Sequence, residues 1–425
     1  MSIPLDRLYH YIEDIAEEIY SNPIIIYRFY PYGSKKLEDV ASLKYVSWEE
    51  VSLIPGIYCN DQEPLNFELY ENYEFNWTDK LTTIFKSLNI KHYQHNLRHT
   101  PGIYDNTFLL HSEKRSKNLD IYQNNNFIPI YYWNHALLSL DWFRFAQHIS
   151  IKKTPTKKFL IYNRAWAGTR EYRLKFADLL IDYKLFNQCQ TSVAFYDQNV
   201  YYKNHQFNNK KWQPLHRLEN HFDLNNTQST SSADFTIEDY ENTDIEVVLE
   251  TLFDDDRLHL TEKSLRPIAC GQPFILAATP GSLKYIRSYG FKTFDNIIDE
   301  SYDLIEDPAT RLQAIILSMQ KIANWTDDER HYKISQLQQI AAFNRKHFFS
   351  SKFFNQVVTE LKENLSIALT KFKNTKSSNH WVSQWNELLS HQSVRDLLES
   401  NQDIAFPTTH QFDIVYKSAI KYSTL

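Results

Sequence analysis

Glycine is scarce, with 7 in 425 residues, and neither a GxGxxG nor a GxxxxGK(S/T) pattern occurs anywhere in the chain. The best-marked phosphate-binding loops are thereby excluded, because they need glycine for a tight turn and a close backbone approach. Any phosphate bound here is expected to rest on side chains and helix ends. Cysteine is rarer still. Cys59, Cys189 and Cys270 lie far apart with no CxxC spacing, so neither a structural zinc site nor a disulfide framework is indicated. Free thiols fit a reducing, cytoplasmic setting. No apolar run approaches the roughly 18 residues a membrane span requires. The first helix-like stretch places Leu5, Leu8, Ile12, Ile15 and Ile19 on one face, but Glu13, Asp14, Glu17 and Glu18 interrupt it, which suits a packing helix rather than a signal peptide. A basic excess is also missing: 46 Lys and Arg stand against 52 Asp and Glu, a net charge of −6. Attachment to nucleic acid by phosphate neutralisation is not expected.

What is abundant is aromatic surface. The 28 Tyr and 27 Phe residues supply a large core, so most of the chain should fold, and its length suggests two or three domains. Residues 1–155 read as short buried strands (23–30, 56–59, 107–111 and 128–133) alternating with helical segments at 80–89 and 136–149. A basic, proline-containing stretch at 151–158 reads as a linker. A second alternation follows: a strand at 158–163, a helix at 170–185, a polar loop at 225–235, a strand at 273–278 and a helix at 281–290. From 307 to about 373 the pattern is helical, and the last fifty residues cannot be placed. The expectation is an α/β protein of two Rossmann-like lobes with a cleft between them and C-terminal helices. The expected domains are 1–155, 156–345 and a helical extension at 346–425.

The stretch HLTEKSLRPIACGQPFILAATPGS, residues 259–282, concentrates the chemistry. Glu262 and Lys263 open a helix that Gly271 closes. A carboxylate there can accept hydrogen bonds from ribose hydroxyls while the neighbouring ammonium neutralises a diphosphate. The same pair also fits a plain helix start, where an acidic first turn is good capping. The turn at Gly281 and Ser282 begins a second helix whose free N–H groups would favour an anion, or could simply be capped by Thr279 or Ser282.

Residues 250–275, ETLFDDDRLHLTEKSLRPIACGQPFI, resemble the donor-binding motif of the α-1,3-fucosyltransferases. In that family an upstream Glu is followed by an aromatic residue, then Thr-Glu-Lys, a helix and a hydrophobic strand. Glu250 takes the upstream position and Thr261, Glu262 and Lys263 the triplet, while His259 stands where the family has the aromatic. The run 263–301 also resembles uncharacterised glycosyltransferase-like proteins of large viruses and phages. YNRAWAGTREYRLKFADLL, 162–180, is similar to the family's strand-loop-helix segment, with Asn163 after the strand and Arg170 opening the helix. GIYCNDQEPLNFELYENY, 56–73, resembles its acceptor-lobe segment, in which an acid near a proline is the general base. Glu63 lies one position before Pro64 and Asp61 three, so Glu63 is the first candidate and Asp61 the second. Glu113, close to His111 at another strand end, is a third.

The resemblance implies a GT-B glycosyltransferase without a cofactor. It would use a nucleotide-diphosphate sugar, with a GDP-linked one among the options, and a glycan or other hydroxyl acceptor. Arg170 and Lys263 would stabilise the leaving diphosphate, Glu262 would bind ribose, and Glu250 would orient the sugar or the Lys263 region. No metal is expected, the aspartates at 254–256 reading as a solvated loop. A non-catalytic carbohydrate-binding or virion-associated protein, and a polyol-phosphate transferase, fit the same architecture.

Overall fold

The computed structural model describes residues 26–28, 51–54, 57–58, 108–117, 119–120, 128–222 and 233–373. The N-terminal helix, the helix at 80–89, most of the polar loop at 225–235 and the last fifty residues expected from sequence lie outside that set.

Two compact units divide the chain. One holds His135–Val357; the other holds Ile3–Asn134 together with Val358–Leu425. The second unit contains β1 (Ile26–Arg28), β2 (Val51–Ile54), β3 (Ile57–Tyr58), β4 (Phe108–His111) and β5 (Ile128–Tyr131), paired in the order β3-β2-β1-β4-β5. β1, β4 and β5 run parallel, whereas β2 is antiparallel to both β1 and β3. This is a mixed sheet.

α1 (Asn134–Trp142) leads into the His135–Val357 unit. There β6 (Lys157–Asn163), α2 (Tyr172–Asp182), β7 (Cys189–Val193), the β8–β9 hairpin (Tyr196–Asp197 and Val200–Tyr201) and α3 (Ile237–Glu241) come first. β10 (Thr243–Leu249), α4 (Glu262–Cys270), β11 (Phe274–Ala277), α5 (Ser282–Ser288), α6 (Pro308–Ala323), α7 (Asp327–Phe348) and α8 (Ser351–Lys373) follow, the last of these continuing beyond Val357. The four long strands form an all-parallel sheet in the order β11-β10-β6-β7. Parallel sheets are covered on both faces, and here α7 packs on α4 while α6 packs on α2. The chain steps outward one way from β6 to β7 and the other way from β10 to β11, so the strand order reverses between β6 and β10.

Local sequence explains the element ends. Asp307 caps α6 by accepting from Thr310 N at 2.8 Å, with Pro308 in the first turn, where its missing N–H costs nothing. Thr326 and Glu329 form a reciprocal capping box at the start of α7. Gly271 ends α4 at φ 68°, a left-handed conformation that glycine adopts without strain.

β7 and β10 were not apparent in the sequence, for different reasons. CQTSV, the sequence of β7, is largely polar. All seven residues of β10 are buried, yet Asp244 and Glu246 interrupt its apolar pattern. Each is neutralised from another element. Arg330 on α7 reaches Asp244 at 2.6 Å, Arg266 on α4 reaches Glu246 at 2.5 Å, and the Tyr240 hydroxyl donates to Glu246 at 2.7 Å. Against the penalty of burial, Glu246 holds the Arg266 guanidinium above its ordinary value. The stretch at 151–157 is pinned along the α3–β10 connection: Thr154 N donates to Glu241 O, and Thr156 N and Lys157 N donate to Asn242 O.

Among the described residues, no helix is long and apolar enough to cross a membrane.

Candidate functional site

In open parallel sheets, ligands sit beyond the carboxyl ends of the strands, where the strand order reverses. In the His135–Val357 unit that place lies past Asn163, the last residue of β6, and Glu250, the residue after β10. The side chains expected from sequence at 163, 250, 259 and 261–263 all belong to these strand ends or to the start of α4.

Glu250 is fully buried and works as a cap for α4. Its Oε1 accepts from Thr261 N at 3.0 Å, Ser264 N at 3.2 Å and Ser264 Oγ at 2.5 Å. Oε2 accepts from Thr261 Oγ1 at 2.7 Å and Thr251 N at 3.1 Å. Five donors converge on one carboxylate, which satisfies backbone N–H groups that a helix start leaves open. Of the two roles expected for Glu250, this geometry serves the positioning of the Lys263 region.

Glu262 lies inward, at 1% exposure. One oxygen takes the Lys263 ammonium at 2.6 Å and the other lies 3.2 Å from Nδ1 of fully buried His135. Burial alone would favour the neutral acid, yet Lys263 and His135 hold the Glu262 carboxyl well below the usual carboxylate range. Burial pushes the Lys263 ammonium below its ordinary value, opposed by the charges of Glu262 and Glu250. Lys263 retains 12% side-chain exposure. It is therefore the member of the triplet that reaches toward solvent. His259 is buried and stands edge-on to His135, with ring centroids 5.2 Å apart.

The β6 side of the site is organised by a residue that sequence reasoning missed. Arg173, on the first turn of α2, donates to Ala165 O at 2.7 Å, Leu249 O at 2.6 Å and Glu250 O at 3.1 Å. It thus ties the ends of β6 and β10 across the reversal point, and its charge is felt at Lys263. The available signal was its place one helical turn after Arg170. Arg170 is half-buried in the turn before α2, its Nε donating to Ala167 O at 3.1 Å. Asn163 donates to Arg173 O at 3.0 Å.

The turn at Gly281 and Ser282 is already served by an anion. Asp303 Oδ1 accepts from Leu283 N at 3.1 Å, and the Asp303 carbonyl accepts from Gly281 N at 2.8 Å. Ser282 Oγ donates to Thr279 O. Burial pushes the Asp303 carboxyl up, opposed by backbone N–H groups of the first turn.

Of the aspartates at 254–256, Asp254 accepts from Asn209 and Trp212, and Asp255 pairs with Arg257. Asp178, Asp182 and His216 have ligand atoms within 4.8 Å of one another. Asp178 already accepts from Lys175 Nζ, Leu215 N and His216 N, so this group fastens the segment at 215–216 to α2.

Of the three candidate bases, Glu63 and Asp61 lie outside the described residues. Glu113 follows β4 in the mixed-sheet unit and is 2% exposed, and His111 ends β4. Burial lowers His111 to about 4, partly opposed by a hydrogen bond involving the Glu113 backbone, so its ring is neutral at neutral pH. No family model, curated protein or solved structure matches the chain.

Proposed function

We propose that the His135–Val357 unit binds a nucleoside-diphosphate sugar beyond the carboxyl ends of β6 and β10, and that the protein transfers the sugar to a hydroxyl acceptor as a GT-B enzyme. One observation carries this reading: Lys263, the partly exposed cation of a buried cluster, is held by the Glu250 cap at the point where strand order reverses. A cation placed where charge develops stabilises a leaving diphosphate in a partly desolvated site far better than it would in water. As Lys263 swings to the diphosphate, Glu262 Oε1 becomes available to a ribose hydroxyl. Arg170, in the turn after β6, is the second cation.

The acceptor oxygen bonds to the anomeric carbon as the bond from that carbon to the diphosphate oxygen breaks. The electron pair leaves with the diphosphate, and the acceptor proton passes to a carboxylate. Glu63 is the first candidate for that carboxylate, then Asp61, then Glu113.

A second reading has its own support. Glu250 and Glu262 are both buried and internally neutralised, as they would be in a binding module whose cluster only shapes the fold.

Thermal-shift measurements with GDP, UDP, CDP, CMP and dTDP separate the two, since a ligand selective for the folded state raises apparent stability. One nucleoside diphosphate should stabilise the protein. Lys263→Ala should abolish that shift and Glu262→Ala weaken it. Failure of all five nucleotides to stabilise the parent protein sinks the transferase reading.

A further inference from the structure

The mixed-sheet unit has its own pocket, of about 340 Å³, near the lower end of the range for small-molecule sites, roughly 300 to 1,000 Å³. It opens at the carboxyl ends of the parallel strands β4 and β5, the ligand-binding side of such strands. One wall is charged: Lys114 and Arg115 line it beside the buried carboxylate of Glu113. The Lys114 ammonium lies 4.5 Å from the centroid of the Tyr131 ring, a cation–π contact that fixes its position. Arg115 adopts φ 65°, uncommon for a residue with a side chain. Strain of this kind concentrates at ligand clamps. α8 adds Asn364, Ile367 and Ala368 to the lining, a partly apolar wall on which Ile367 remains 56% exposed. Asn364 on the same helix donates to Tyr131 O at 2.8 Å, fastening that wall to the strand end.

We propose that this pocket binds a monosaccharide-sized, hydroxylated acid carrying one carboxylate or phosphate group. Two cations and one carboxylate leave the lining with one net positive charge, in a chain whose overall charge is −6. That local reversal of sign selects an anion. Glu113 supplies an acceptor for a hydroxyl proton, and the neutral His111 ring adds hydrogen-bonding capacity without charge. The half-apolar wall suits the carbon face of a sugar ring. The inference depends on this pocket alone and stands if nucleotide binding fails.

The test is isothermal titration of the full chain with glucuronate, glucose 6-phosphate, glucose and inorganic phosphate. At least one sugar acid should bind ten-fold or more tightly than glucose, and more tightly than inorganic phosphate. Added salt should weaken that binding. Binding should fall at least ten-fold in Lys114→Ala/Arg115→Ala, whose changes lie on the pocket surface, and persist in Lys263→Ala, which keeps this outcome separate from the nucleotide result. Glucuronate against glucose 6-phosphate decides between carboxylate and phosphate. Equal binding of glucose, inorganic phosphate matching the sugar acids, no binding at all, or indifference to the double substitution would each overturn the proposal.

Discussion

At the carboxyl ends of β6 and β10 the charged groups face one another; at the carboxyl ends of β4 and β5 they face a cavity. In the first region Glu250 is spent on five donors, Glu262 is shared between Lys263 and His135, and Arg173 is spent on carbonyls. In the second, Lys114 and Arg115 line a pocket, Lys114 over the Tyr131 ring. The difference separates two ways of using charge. A carboxylate satisfied by backbone donors fixes geometry and is costly to remove, whereas partly exposed cations at a pocket wall contribute little to folding.

The largest effect that would break this contrast is on stability. Glu250→Ala should lower the unfolding free energy by about 3–5 kcal/mol, the cost of stripping a partner from a buried charged arrangement. Glu250→Gln should lose less, because its carbonyl still accepts. Urea denaturation of both variants checks this, and a loss below 1 kcal/mol in Glu250→Ala would mean the cap does not hold α4.

The second effect is on pH dependence and belongs to the mixed-sheet unit. The folded pKa of His111 is lowered from 6.5 to about 4. Above 6.5 neither folded nor unfolded chain binds the proton, so nothing changes. As pH falls from 6.5 toward 4 the unfolded chain takes up a proton that the folded chain refuses, and stability drops by up to about 1.4 kcal/mol per pH unit, about 3 kcal/mol in all. His111→Gln should remove that part of the slope in urea midpoints measured between pH 7 and pH 4. A slope identical to that of the parent contradicts the burial assigned to His111.

Two smaller effects sharpen the comparison. Thr261→Ala removes both the hydroxyl bonded to Glu250 and the side-chain cap of α4. It should cost about 1–2 kcal/mol, with Thr261→Ser close to the parent in thermal unfolding. Arg115→Gly relieves the left-handed backbone at φ 65°. It should stabilise by up to about 1 kcal/mol while weakening sugar-acid binding, a trade of stability against ligand capture that no substitution around Glu250 should reproduce.

The sequence disclosed β6, β11 and the start of α4, because KFLIYN and PFILAA are largely apolar runs and Thr-Glu-Lys is a capped helix entry. It concealed β10, since the arginines that neutralise Asp244 and Glu246 come from Arg330 and Arg266, 86 and 20 residues further on. Long-range pairing of this kind leaves no periodic trace. Arg173 was hidden for a related reason: its partners are backbone carbonyls, which no side-chain pattern announces. His135 was hidden because Glu262, which it approaches, lies on a distant segment. Arg170 and Lys263 were visible as cations near strand ends, but whether a cation faces solvent or a carbonyl is decided by packing.

Asp303 has a consequence for any phosphorylated ligand. A carboxylate tethered by the chain at the start of α5 acts as a permanent intramolecular competitor, at an effective concentration that free phosphate in solution rarely approaches. The first turn of that helix is thus closed to visiting anions. Under the proposed function, this leaves the pyrophosphate to Lys263 and Arg170 rather than to the α5 turn.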